Sequence, residues 1–482
     1  MRLASIQRVF GLLLLLFSLT HLPPLAVSLL TADGAHQAFV QAFTFTVLLG
    51  IVIWLPVRRR VEDFGVREGF LVVALFWTVF SLLGAVPLAL TELPSMSVTD
   101  AVFESVSGLT TTGATVLTGL DELPRSVLYY RHQLQWLGGM GIIVLAVAIL
   151  PLLGIGGTNL YRAEIAGPVK NNRVTARIAE TAQALWAIYV GLTSLCAVAY
   201  FGAGMSLFDA VCHAFSTVSI GGFSTHDASM AYFSSPLIEG IAIVFMIVAG
   251  VNFALHFTAW RALSVRPYLE DAEVRAYVGI LLSVGVVCIA YLLASGIMTD
   301  GERALRAGLF QAVSIGTTTG FTTAPYHLWP GALPILLLLT SFIGACAAST
   351  GGGMKVIRVL LLYKQGLREV MRVVHPNAMI AVRIGKEVLS GRMIESIWGF
   401  FAVYLVAFTV LYLLMATQTD LVTAFSSVAA CMNNMGPGLG EVGTTYAVVS
   451  DFGKWVLCLA MVLGRLEVFT LLALFTPTFW RN

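Results

Sequence analysis

Charge is scarce in this chain. Of 482 residues only 11% are Asp, Glu, Lys or Arg, against roughly 25% in a soluble domain, so a water-solvated globule is excluded. Catalytic signatures are missing as well. There is no HExxH, no GxSxG and no pair of membrane aspartates suited to catalysis, which argues against an intramembrane enzyme, and no cofactor is expected in this chain. Cys196, Cys212, Cys288, Cys346, Cys431 and Cys458 lie in apolar segments without a CxxC pair and read as small core hydrophobes. The net charge of +2 gives no reason to propose nucleic acid as a partner. No nucleotide-binding domain is visible, so control by nucleotide would need another polypeptide.

Hydrophobic residues are abundant instead, at 58%. Apolar runs recur around residues 12–30, 39–55, 70–90, 134–153, 182–201, 238–259, 277–298, 333–348, 397–415 and 455–475. Each approaches the ~20 residues that cross ~30 Å of hydrocarbon, which predicts about ten crossings of a lipid bilayer. The first run follows Arg2 and Arg8 without a small-residue cleavage site and reads as a retained span. Basic residues cluster in alternate connections: Arg58, Arg59, Arg60 and Arg67; Arg162, Lys170, Arg173 and Arg177; Arg261, Arg266 and Arg275; Lys364 to Arg392; and Arg481. By the positive-inside rule these faces are cytoplasmic, and both termini of this multi-pass chain are expected there.

A repeat underlies the pattern. Ending each line on a glycine aligns DAVFESVSGLTTTG (Asp100 to Gly113), DAVCHAFSTVSIGG (Asp209 to Gly222), AGLFQAVSIGTTTG (Ala307 to Gly320) and, more weakly, TAFSSVAACMNNMG (Thr423 to Gly436). Each copy reads as span, short helix, polar glycine-containing stretch, span. A dozen-residue helix cannot cross the bilayer, so the chain enters and returns on the outer face. Non-helical backbone at that depth is tolerated where it is buried in protein or lines a watery cavity. Four such stretches around one axis would make a pore. The other reading of a single TTTG is that small residues let helices pack closely.

A dehydrated cation needs oxygen ligands, which a ring of backbone carbonyls supplies. Glycine tolerates φ > 0 and lets carbonyls turn inward. The candidate ion-binding residues are therefore Thr111, Thr112 and Gly113; Ile220, Gly221 and Gly222; Thr318, Thr319 and Gly320; and Asn434, Met435 and Gly436. No ring of Asp or Glu is visible, which favours a monovalent over a divalent cation. Glu104, His213, Gln311 and Ser427 each stand nine residues before a glycine and are expected to hydrogen-bond behind this selectivity filter. Glu239, Asn252 and His256 are expected to satisfy one another or nearby backbone.

The four registered glycines, Gly138-Gly139-Met140-Gly141, Met432 to Gly438 and the C-terminal GRLEVFTLLALFTPTFW together resemble the TrkH family. These are the membrane subunits of bacterial Trk-type potassium uptake systems, within the superfamily of potassium transporters. The resemblance covers essentially the whole chain. It implies an all-α polytopic membrane protein with four pseudo-symmetric span–pore helix–span repeats around a central ion pore, preceded by two extra transmembrane helices. The parts would be residues 1–66 (two helices), 67–175, 176–270, 271–390 with an intramembrane gating loop, and 391–482. It further implies potassium uptake across the inner membrane, with rubidium as surrogate, and a homodimer. Control would come from a cytosolic TrkA-type ring that binds NAD and adenine nucleotides, and the basic connections would be its docking surfaces. Sodium-favouring plant relatives carry serine at the first filter glycine, and Gly113 therefore argues for potassium. The alternative is a proton- or sodium-coupled secondary transporter, a symport by alternating access, although such carriers usually show two inverted halves.

Two features lie below the expected filter. Residues 333–363 would form a helix of ~45 Å, and three consecutive glycines in its middle predict a break. Gly351, Gly352 and Gly353 would, by the resemblance, form the gating loop. An ordinary helix end followed by an amphipathic cytoplasmic helix is the other reading. Arg465 falls inside the last apolar run, where a guanidinium is costly. It reads either as a structural ion pair or snorkelling residue, or, as the resemblance implies, as a pore-facing charge that repels cations until the gate rearranges.

Overall fold

Each of the four short helices starts on a side chain that caps it. Ser97 accepts the Asp100 N–H ahead of the first, Ser206 accepts the Asp209 N–H ahead of the second, Asp300 accepts the Glu302 N–H ahead of the third, and Asp420 accepts two N–H groups ahead of the fourth. The caps satisfy donors that a helix leaves free at its N-terminus. These helices are Val98–Leu109 (α5), Leu207–Val218 (α8), Gly301–Gly316 (α13) and Leu421–Met432 (α17). All four were expected as short re-entrant helices.

In the computed structural model, which describes residues 3–59, 66–148, 171–378, 380–385, 387–388, 391–466, 474 and 476–480, further helices flank each short one. Leu3–Ser18 (α1), Leu22–Thr31 (α2) and His36–Trp54 (α3) precede the first unit. Val66–Leu90 (α4) and Arg125–Ala148 (α6) bracket α5, and Asn171–Gly202 (α7) leads into α8. Pro236–Ala249 (α9), Phe253–Ala262 (α10) and Arg266–Glu270 (α11) follow it. Ala272–Ala294 (α12) and Leu333–Ile343 (α14) bracket α13, with Val356–Val374 (α15) beyond. Gly391–Ala416 (α16) and Asp451–Arg465 (α18) bracket α17. A two-residue antiparallel pair, Arg383–Ile384 (β1) with Glu387–Val388 (β2), is the only sheet among the described residues.

Six helical segments are long and apolar enough to cross a membrane among the described residues, and α9 with α10 make a seventh if that bent pair is one span. The remaining expected runs correspond to α6, whose N-terminal half carries Arg125, Arg131, His132, Gln133 and Gln135, to α14 with 11 residues and to α18 with 15. Polarity is inverted relative to a soluble protein. Ser105, Ser107, Thr110, Thr217, Ser314 and Ser427 are fully buried, whereas Val198, Val286, Val406 and Leu413 are exposed. The apolar exterior is what a lipid-facing surface requires.

Two departures from the sequence reading are informative. The run at 238–259 is not one continuous helix: α9 and α10 meet at 95°, and Asn252 caps the second helix by accepting the Ala254 N–H at 2.9 Å. The expected break near Gly351 begins nearly two helical turns earlier, at Gly344, whose backbone (φ 69°) ends α14. Arg60, Arg162, Lys170, Lys386, Glu467 and Arg481 lie outside the described residues.

Candidate functional site

All four short helices end in one backbone motif. After α5 the N–H groups of Thr110, Thr111 and Thr112 return to the carbonyls of Val106, Gly108 and Ser107; Ser219 to Gly221, Thr317 to Thr319 and Asn433 to Met435 repeat the pattern. This helix stop needs a left-handed residue, commonly glycine. Here it is Thr111 (φ 52°), Ile220 (φ 56°), Thr318 (φ 69°) and Asn434 (φ 52°). Three of these are β-branched, and the left-handed region costs an L-residue roughly 1–2 kcal/mol. Such strain survives where surrounding structure over-determines it, and it gathers at functional sites.

Two residues further on, Gly113, Gly222, Gly320 and Gly436 return to positive φ, between 74° and 95°. Between these two positions the backbone N–H groups return to carbonyls of the preceding helix. The four stretches also close on one another. A Cβ on Gly113 would come within 3.0 Å of the Gly221 carbonyl oxygen; on Gly222, of Thr319 O; on Gly320, of Met435 O; and on Gly436, of Thr112 O. Each glycine thus seats the carbonyl that precedes the next glycine, from the first unit round to the fourth and back. Every predicted ion-binding residue falls in this ring.

Support from behind differs between units. Glu104 accepts the Thr115 hydroxyl (3.0 Å), the Val116 N–H (3.0 Å) and Arg131 Nε (2.6 Å), with both charged side chains buried. The Arg131 guanidinium also lies 4.2 Å over the Phe223 ring, directly after Gly222. His213 Nε2 lies 3.0 Å from Ser224 Oγ, and Gln311 Nε2 donates to Ala324 O at 3.3 Å. Ser427 differs from expectation and donates within its own helix, to Ala424 O; its neighbour Ser426 reaches Leu439 O at 3.0 Å. Gln135 was missed. Its Nε2 donates to Gly221 O and its Oε1 accepts the Phe223 N–H, bracketing Gly222.

The glycine motif Gly138-Gly139 also acquires a role. A Cβ on Gly138 would overlap Leu109 O and one on Gly139 would strike Ser219, so their absence lets α6 lie against the ends of α5 and α8.

Residues 344–355 sit directly beneath the ring. Thr350 Oγ1 donates to Val218 O (3.0 Å), the Gly352 N–H to Thr318 Oγ1 (2.6 Å) and the Gly353 N–H to Asn433 O (3.0 Å). Those acceptors belong to the second, third and fourth units. Arg465 supplies the first: its guanidinium donates to Thr111 Oγ1 and to the loop carbonyls of Thr350 (3.1 Å) and Gly351 (3.5 Å). It is 6% exposed, and among the described residues no carboxylate pairs with it. Gly351, Gly352, Gly353 and Arg465 are therefore brought together below the ring.

Glu239, Asn252 and His256 do not satisfy one another. Glu239 pairs with Arg306 at 2.8 Å, Asn252 caps α10, and His256 lies 2.8 Å from the Tyr268 hydroxyl and 3.0 Å from Val248 O.

A ring of four strained turns, walled by apolar helices and plugged from one side, defines a membrane transport protein. The comparisons identify which. The family model TrkH, described as a cation transport protein, matches residues 35–481. A Trk system potassium uptake protein TrkH of Halomonas elongata is 53% identical over 485 residues, covering all of both chains, and that of Escherichia coli K12 is 51% identical over 483, again covering all of both. The crystal structure of the potassium transporter TrkH from Vibrio parahaemolyticus superposes with a TM-score of 0.93 at 52% identity, covering 100% of each chain. The chain belongs to the TrkH family. Its relatives are named as transporters, and it is a transporter rather than an enzyme.

Proposed function

We propose that this protein takes up potassium across the bacterial inner membrane as the membrane subunit of a Trk system, with the ring as its selectivity filter. The observation that carries the reading is the closed cycle of four glycines, each seating the next unit's carbonyl. Carbonyl dipoles held in that geometry replace the water of a monovalent cation. The short helices aim their C-terminal ends at the same centre, and their partial negative charge favours a cation there.

Residues 344–355 gate the path from below. The loop's backbone and the Arg465 charge occupy the space under the ring, so an ion leaves only when both move aside. Residues 67–175, 176–270, 271–390 and 391–482 form the four quarters, after a pair of helices in 1–66, with both termini cytoplasmic. Two copies pair as a homodimer, and a cytosolic TrkA-type nucleotide-binding ring works the gate through the basic inner connections.

The test is rubidium flux and single-channel recording in liposomes, with and without the TrkA-type ring and with a proton gradient imposed or abolished. Discrete conductance steps that favour potassium over sodium and persist without a proton gradient are expected. Saturable uptake that vanishes when the driving gradient is collapsed would instead establish a coupled carrier.

A further inference from the structure

The loop under the ring is held from the side by a residue that no part of the sequence reading singled out. Glu273 is the second residue of α12, and its side chain is buried. Its Oε1 accepts the Ala347 N–H at 2.7 Å and the Ile357 N–H at 3.1 Å. Ala347 belongs to the stem that leaves α14, and Ile357 opens α15 on the returning stem. One carboxylate oxygen on a neighbouring helix therefore joins both stems.

The surroundings fix which parts can move. The stems are tied to each other by Met354 N–H to Phe342 O (2.9 Å) and Val356 N–H to Ala345 O (3.1 Å). The outer stem is seated in the elbow between α9 and α10, where the Cys346 N–H donates to Gly250 O (2.9 Å) and the Phe253 N–H to Ala348 O (3.1 Å). That elbow explains the 95° bend of the second unit: it exposes a carbonyl and an N–H that a continuous helix would consume. Against this seat, the Glu273–Ile357 bond ties α12 to the start of α15, beside the apolar cluster that Val274 and Tyr277 share with Val356.

We infer that Glu273 is a positioning residue for the gate, a latch that holds the two stems of residues 344–355 together beneath the ring. The inference rests on the gating role proposed above for that loop. Displacing α15 stretches the bond from Ile357 first, and its release frees the loop to leave the ring while the elbow keeps the outer stem in place.

The experiment uses the full chain in liposomes, with single-channel recording and rubidium flux. Losing a buried hydrogen bond shifts a two-state balance by up to about ten-fold. Glu273→Ala is therefore expected to raise open probability by about that factor, with unitary conductance and the potassium-to-sodium permeability ratio unchanged. Glu273→Asp keeps the charge but not the reach and follows Ala; Glu273→Gln keeps an acceptor oxygen and falls between Ala and wild type. If the Ala variant fails to fold, the Gln and Asp variants decide. Wild-type open probability in both overturns the inference, as does a loss of folded protein that scales flux down without changing open probability. Shortening Gly351 to Gly353 separates the two layers. Raised flux there beside unaltered Glu273 variants overturns the latch alone, whereas unaltered flux in the shortened loop removes the gate itself.

Discussion

The ring and the loop beneath it are built on opposite terms. In the ring, four stretches as different as TTTG, SIGG, TTTG and NNMG adopt one backbone, with the same left-handed positions and the same N–H returns. Below it nothing is repeated: one unit contributes a loop, another a single arginine, a third an elbow. The difference follows from what each must do. A carbonyl ring needs equivalence, which backbone supplies whatever the side chains are, whereas a plug for a single axis needs one copy only.

Removing support behind the ring should have the largest effect. Glu104→Ala would strand Arg131, a buried and otherwise paired guanidinium, and breaking one half of such a pair costs ~3–5 kcal/mol. A fall in the melting temperature of the detergent-solubilised protein is expected, larger than for His213→Ala in the next unit. Equal losses at the two positions would show that the supports are interchangeable.

Next comes the ring itself. Gly113→Ser places a Cβ against the Gly221 carbonyl and disturbs a position with positive φ. Selectivity for potassium over sodium should drop about ten-fold, equivalent to ~1.4 kcal/mol, as read from bi-ionic reversal potentials. An unchanged ratio would remove the ring from the selectivity mechanism.

Arg465→Ala acts below the ring, where it deletes a charge and three donors to neutral oxygens. Rubidium flux should rise several-fold, about the effect of one charge-assisted hydrogen bond, with selectivity kept. Wild-type flux in a poorly folding variant would restore the structural reading of this arginine.

The smallest effect lies in the loop after the second turn, away from the gating loop. His226 contacts Asp121 from the first unit and lies 3.5 Å from Asp209 in its own. Burial lowers its affinity for a proton, but hydrogen bonds and charge from Asp209 and Asp121 outweigh that and hold its pKa above the ordinary histidine value. A raised folded value stabilises below the ordinary value of about 6.5 and loses that contribution as pH rises through the folded value. Melting temperature should therefore decline slightly across that window in wild type and stay flat in His226→Gln. A decline of equal size in the variant would assign the effect elsewhere.

Much of the ring was legible because it is local. Capped helices of a dozen residues, a glycine at fixed distance and four registered copies are all properties of contiguous sequence. The positive φ at Thr111, Ile220 and Thr318 was not legible, since β-branched residues argue against it and tertiary packing overrides that preference. The elbow was hidden too: Gly250 and Asn252 sit inside a run apolar enough, despite Glu239, Asn252 and His256, to read as a single span. Partnerships between helices, such as Arg131 with Glu104 within the first unit and Glu239 with Arg306 across two units, depend on which helices meet, and spacing along one chain does not encode that.

The closed cycle of glycines has a consequence for how the protein is made. Gly436 receives the Thr112 carbonyl, and the Asn434 amide donates to Thr112 Oγ1 at 2.9 Å. The first turn to leave the ribosome is thus completed by the last. Until the fourth quarter is inserted, the earlier three hold an open arc whose first and last turns each lack a neighbour. The ring therefore becomes whole only with the arrival of residues 433–436.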